Sequence, residues 1–139
     1  MANEIKVHLH QISPFTSEAG IRGHRVLVDR PVAKGGSDAG PMGGELFLSA
    51  IGGCFMSTLL AAMRAREAAI DDIHTEVTGT IDDTPPRFVA VELLVTSAGA
   101  DSETLERLVE VAGRGCIMMN TLRNTLQLTV RIGALAGQG

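Results

Sequence analysis

Residues 46–63 read LFLSAIGGCFMSTLLAAM, a run of 18 residues without a charge. That touches the lower limit of length for crossing a bilayer. Three hydroxyl residues, the pair Gly52-Gly53 and the lack of an aromatic or basic belt at the N-terminal end argue against a membrane. A helix apolar on all sides is otherwise buried in protein. A chain of 139 residues offers few neighbours to cover such a helix all round. Packing against a second copy would cover it, so the reading is a buried central helix in a homodimer. Arg64, Arg66 and Glu67 mark its emergence into water.

On either side the pattern changes to strands. Residues 5–11, IKVHLHQ, alternate strictly, with Ile5, Val7 and Leu9 on one face, as a half-buried strand does. HRVLVD (24–29) is a second short strand closed by Arg30-Pro31, and SPFTSEAGIRG between the two reads as a turn region. The glycine-rich segment 33–44, AKGGSDAGPMGG, lacks the spacing of a phosphate loop and reads as a flexible connector. After the helix, strands are expected over 73–81 and 87–95 around Asp82-Asp83-Thr84-Pro85-Pro86. Ile73, Thr75, Val77 and Ile81 should share one face, and FVAVELLV is apolar on nearly both faces, as a central strand would be. Asp101 or Ser102 caps an amphipathic helix carrying Leu105, Leu108, Val109 and Ala112. Gly113 and Gly115 weaken it where Cys116 arrives. LQLTVRI (126–132) alternates again, and ALAGQG reads as a frayed tail. The expected order is β-β-α-β-β-α-β in one α+β domain spanning 1–139.

Composition narrows the function. Hydrophobic residues make up 45% of the chain and charged residues 20%, which excludes a disordered protein. A net charge of −4, with no Trp and no Tyr, supplies neither a phosphate-attracting field nor stacking platforms, so nucleic acid is not an expected partner. MANEIKVHLH has no apolar signal-peptide core, and two Cys are too few for a secreted disulfide scaffold. A cytoplasmic location is therefore expected. There, two Cys are either inert core residues or redox chemistry.

Cys54 sits in the middle of the apolar run, where a thiol often does no more than pack. Gly52 and Gly53, however, each cost a helix interior about 0.8–1 kcal/mol relative to Ala, which close approach of a partner helix or a substrate would offset. Cys116 follows the helix-weakening Gly-Arg-Gly and so belongs near an accessible helix end. A thiol in an apolar pocket reacts poorly unless a cation or hydrogen-bond donor holds its thiolate. His8 and His10 share one face of a strand, but nothing else has metal-ligand spacing, so no metal is expected. His24 and His74 are isolated, and Asp71-Asp72 and Asp82-Asp83 suit solvated turns.

The sequence GGELFLSAIGGCF, followed by RGCIMMNTL, resembles the OsmC/Ohr family of organic-hydroperoxide reductases. Pro41-Met42-Gly43-Gly44-Glu45-Leu46 leading to Gly52-Gly53-Cys54 is similar to the family's P-x-E-L-L-x-A-A-L-G-G-C. Cys116 with Asn120-Thr121-Leu122 is similar to its C-P-V-S-N-T-L. The resemblance extends over nearly the whole chain and lies closer to the OsmC-like branch. It implies an α+β fold and an intertwined homodimer with the two long helices at its centre.

The resemblance also implies a chemistry. Cys54 as thiolate attacks the O–O bond of a hydroperoxide, Cys116 condenses with the resulting sulfenic acid, and an external dithiol reduces the disulfide. No cofactor is implied. Phe47, Phe55, Met56, Ile117 and Met118 would line an apolar substrate site. The family pairs its reactive Cys with a Glu and an Arg. The Glu position falls on Gly44, with Glu45 one residue later, and Arg22 is the preferred arginine over Arg25. The alternative is a dimer of the same fold that binds a small apolar or sulfur-containing ligand without turnover.

Overall fold

The computed structural model describes residues 2–98 and 101–133, and the chain forms two compact units, 1–47 and 48–139. In the first unit three antiparallel strands lie in the order β1 (His8–Gln11), β2 (Ser17–Ile21), β3 (His24–Val28). The register Leu9↔Ala19↔Val26 puts these three on one face, and His10↔Glu18↔Leu27 lie on the other. Two expectations need correction here. The segment 13–23 is not only turn, because it contains β2, whose SEAGI becomes a strand by pairing on both edges. The strand expected over 5–11 begins only at His8, which pairs with Gly20; continuing that register would set residues 5 and 6 against the Arg22-Gly23 loop rather than a strand. Ile5 is consequently 87% exposed, and Leu9, although paired, is 55% exposed.

The glycine-rich segment is not a free connector either. It makes a 3-10 turn at Val32–Lys34 and then folds around the buried carboxylate of Asp29. Asp29 accepts hydrogen bonds from the Thr16 and Ser37 hydroxyls and from the backbone N–H groups of Arg30, Ser37 and Ala39. These donors hold the carboxyl far below the usual carboxylate range, the Ser37 hydroxyl contributing most. The wrap is so close that a Cβ at Gly36 would lie 2.1 Å from the Arg30 carbonyl oxygen, and one at Gly40 2.3 Å from that of Leu27. Only glycine fits either position.

Helix α1 spans Gly43–Ala65, and the division between the units falls within it. Its start is fixed by Glu45, whose Oε1 accepts the Met42 N–H at 2.8 Å, the back-bond of a capping box. The second unit adds the sheet β4 (Ile73–Asp83), β5 (Pro86–Ser97), β6 (Gln127–Ile132), with β5 central as its two-faced apolar sequence requires. β4 and β5 form an antiparallel hairpin with a cis Thr84-Pro85 bond in its turn. β6 runs parallel to β5 and is reached through helices α2 (Ser102–Gly115) and α3 (Ile117–Leu122). Asp101 caps α2, accepting the Thr104 N–H. α3 is an element the sequence reading did not anticipate. The tail reading concerned residues that, beyond Gly133, lie outside those described.

The core of this unit follows from matched repeats. Leu48, Gly52 and Met56 of α1 meet Gly79, Val77 and Thr75 of β4 in turn. Four helical residues rise about 6 Å and two strand residues about 6.6 Å, so i, i+4, i+8 on the helix tracks i, i−2, i−4 on the strand. The same sheet face continues through Val91, Leu93 and Val95 of β5, opposite Leu128, Val130 and Ile132 of β6. Against it Ile51, Phe55 and Leu59 are fully buried. Ile81 does not join this face. The register shifts between Thr80 and Ile81, and the side chain is left 57% exposed. By length and composition alone α1 could cross a membrane, yet Ile51, Gly52, Phe55, Leu59, Ala62 and Met63 are buried in protein. All-round burial is not achieved within one chain: Ser49, Ala50, Gly53, Ser57, Leu60 and Ala61 form an exposed stripe.

Candidate active site

α1 and the α2–α3 junction bring the two cysteines together. The Cys116 thiol donates to Cys54 Sγ at 3.2 Å, and both are free cysteines. Cys116 is both the last cap of α2 and the first of α3, with extended backbone (φ −83°, ψ 119°). Its sulfur is buried, whereas Cys54 is half-buried. The sequence reading could not place this sulfur so closely, because it rests on the short helix IMMNTL that begins right after Cys116.

The electrostatics of the two thiols differ in sign. At Cys54 burial acts to raise the pKa, but the backbone N–H groups of Met118 and Ile117 and the Cys116 thiol all donate to the sulfur, and the net shift is downward. At Cys116 burial again pushes upward, the hydrogen bond to Cys54 and its charge add to that, and the N–H groups of Met119 and Met118 offset only part. Of the two, Cys54 thus gives up its proton more readily and Cys116 holds its own more firmly. Ile117 and Met118 were singled out for their side chains; their amides, aimed at Cys54 from the start of α3, are what the sequence did not reveal.

Other residues singled out by sequence fall in different places. Ile117 is 68% exposed beside the sulfur pair, and Met118 is half-buried. Met56 accepts a hydrogen bond from the Thr75 hydroxyl at 3.1 Å, and Phe55 is wholly inside the core. Phe47, Glu45 and Arg22 belong to the first unit. There Glu45 caps α1 as described, and Arg22 occupies the two-residue β2–β3 loop in a left-handed conformation with φ 56°. Arg25 donates to Glu18 at 3.5 Å on the exposed face of the same sheet. His8 and His10 stand opposite Gly20 and Glu18, and among the described residues no three His, Cys, Asp or Glu side chains are grouped to hold a metal.

The second unit also has an open cleft of ≈ 630 Å³ that does not include either cysteine. Val109, Met119, Leu128, Val130 and Ile132 give it apolar lining, beside Arg114, Arg123 and Arg131. These guanidiniums already bond to Glu110, to the Gly113 carbonyl and Asn120, and to Glu92 respectively.

The sequence matches the family model described as OsmC-like protein over residues 35–131. No curated protein matches it significantly. Among solved structures, the OsmC like protein from Mycoplasma pneumoniae superposes with a TM-score of 0.80 at 17% identity, covering 97% of this chain and 99% of that one. The organic hydroperoxide resistance protein OsmC from Legionella pneumophila gives 0.73 at 18% identity, over 96% and 98% of the two chains. The organic hydroperoxide resistance protein OhrB of Bacillus subtilis gives 0.68 at 20%, over 94% and 98%. At these identities the structures speak for a shared α+β fold. With the family model matching well over half of its length, the chain belongs to the OsmC-like protein family.

Proposed function

We propose that this protein is a thiol-dependent peroxidase that reduces organic hydroperoxides to alcohols. The observation that carries the proposal is the pair Cys54–Cys116 at 3.2 Å with opposite pKa shifts, a nucleophile and its resolving thiol already in contact. Membership of the OsmC-like family, and the two hydroperoxide resistance proteins of like fold, support it. In the first step the Cys54 thiolate attacks one oxygen of the O–O bond. The other oxygen leaves as alkoxide, takes a proton and departs as alcohol, and Cys54 becomes a sulfenic acid. That oxidation removes the charge on Cys54 which helped keep Cys116 protonated. Cys116 then loses its proton more easily, attacks the sulfenic sulfur and expels water as the disulfide forms. An external dithiol restores both thiols by exchange and ends as its own disulfide, so no cofactor is needed.

Ile117 and Met118, which follow Cys116 directly, are the proposed apolar walls that favour organic hydroperoxides, and Met56, Phe47 and Phe55 are proposed with them. Glu45 and Arg22 remain the proposed acid and cation of the site. We read residues 1–139 as one domain of a cytoplasmic homodimer, and the uncovered stripe of α1 through Gly53, Ser57 and Leu60 supports a second copy there. The Cys54→Ser chain is expected to fold and to consume no hydroperoxide; turnover equal to wild type would defeat the mechanism. The apolar cleft favours a second reading, a ligand-binding protein without turnover, in which both thiols stay free in the presence of hydroperoxide.

A further inference from the structure

Disulfide closure needs the sulfurs to move from 3.2 Å to about 2.05 Å, so the distance between α1 and the end of α2 matters at sub-ångström scale. One contact between these elements lies next to both cysteines. Thr58 stands one turn after Cys54, and its Oγ1 donates to the Cys54 carbonyl oxygen at 3.0 Å. Its Cγ2 methyl faces Gly115, where a Cβ would lie only 3.2 Å away. Ordinary carbon contacts are about 3.5–4.0 Å, so a side chain at residue 115 would push the α2–α3 junction off α1. Backbone conformation does not ask for glycine at this place. Gly115 lacks a positive φ, and the cap of α2 is extended Cys116 rather than a left-handed glycine. Glycine at a helical position sacrifices helix stability relative to alanine, and close approach is what it gains here.

We propose that Thr58 and Gly115 are positioning residues that set the Cys54–Cys116 separation, the Thr58 methyl acting as a stop against the bare Gly115 backbone while its hydroxyl tethers the backbone of Cys54. The proposal rests on the peroxidase reading only in giving the resulting disulfide a use. A larger residue at 115 spreads the sulfurs by a few tenths of an ångström and leaves the thiol chemistry itself intact.

The test is the equilibrium of the reduced chain with glutathione redox buffers, in which oxidised glutathione takes the electrons of both thiols and becomes two reduced glutathiones. Acid quench and intact mass give the effective concentration of the disulfide. Gly115→Ala should lower it about tenfold, in line with the steep dependence of intramolecular reactions on placement. Adding Thr58→Ser, which removes the methyl and keeps the hydroxyl, should restore most of it. A Gly115→Ala chain equal to wild type, a loss that Thr58→Ser does not repair, or a wild type that never closes the disulfide would each overturn the proposal. If Gly115→Ala fails to fold, Thr58→Ile enlarges the same contact from α1; it should show the same loss, and wild-type closure in it would overturn the spacer. Glutathione oxidises without hydroperoxide. A wild type that closes in glutathione yet ignores hydroperoxide therefore refutes the peroxidase reading, while the Gly115→Ala loss and its repair still uphold the spacer.

Discussion

Gly52 is the place where helix propensity and packing make opposite demands, and Gly52→Ala decides between them. In a helix interior this change gains about 0.8–1 kcal/mol. Against it, the new Cβ would lie 2.8 Å from Val77 Cγ2, short of an ordinary contact by at least about 0.7 Å. Val77 is β-branched and sits in the hairpin opposite Leu93, so it yields little. Moving α1 off the sheet instead would loosen Ile51, Phe55 and Leu59, all fully buried. Overpacking of this kind costs about 1–3 kcal/mol, so the net effect is a destabilisation near 1 kcal/mol. The assay is urea unfolding followed by far-UV circular dichroism at fixed protein concentration, since the chain has no Trp or Tyr for fluorescence. With a slope of about 1–3 kcal/mol per M, the midpoint should fall by roughly 0.5 M. Val77→Ala costs stability alone, but with Gly52→Ala the double variant should be at least about 1 kcal/mol more stable than additivity predicts. A stabilised Gly52→Ala, or a cycle with no coupling, would refute the claim that α1 is held to β4 through this contact.

Three further outcomes follow from the site and the loop. Alkylation of Cys54, followed by peptide mass, should reach half its limiting rate below pH 9.0, and that of Cys116 above it; the reverse order would exchange their roles. Cys116→Ser should consume about one equivalent of hydroperoxide and stall as a sulfenic acid trapped by dimedone, whereas sustained turnover with dithiols would remove Cys116 from the mechanism. Asp29 has a depressed pKa, so the fold binds fewer protons there than the unfolded chain. Its contribution is complete above the unfolded value near ~3.9 and declines as pH falls below that. Asp29→Asn should therefore be less stable at neutral pH and should flatten the acid limb of the stability profile, and an unchanged limb would contradict the latch around residues 35–40.

Much of the fold was legible because some segments carry one dominant signal. The uncharged run 46–63, broken by Gly52-Gly53 and hydroxyl residues, favoured a core helix over a membrane span, FVAVELLV read as a central strand, and Asp101-Ser102 before Glu103 announced a helix start. What escaped notice depends on partners distant in sequence. SEAGI has too little apolar alternation to declare a strand, and becomes one between β1 and β3. A bulge turns Ile81 away from the face its parity assigns. The glycine-rich segment looked free because nothing in AKGGSDAGPMGG shows that Asp29 and Thr16 would collect its amides and hydroxyl. Cys54 and Cys116 stood out in the sequence by their motifs, and the fold brings their sulfurs into contact. The donors that tune them were not, since backbone N–H groups leave no mark in a sequence.

The most direct test of the account is a thiol count with intact mass on the reduced protein, before and after one equivalent of cumene hydroperoxide. The account predicts rapid loss of both thiols and a drop of about 2 Da per chain, the two hydrogens given up as the Cys54–Cys116 disulfide closes. Two free thiols and an unchanged mass after minutes of exposure would contradict it.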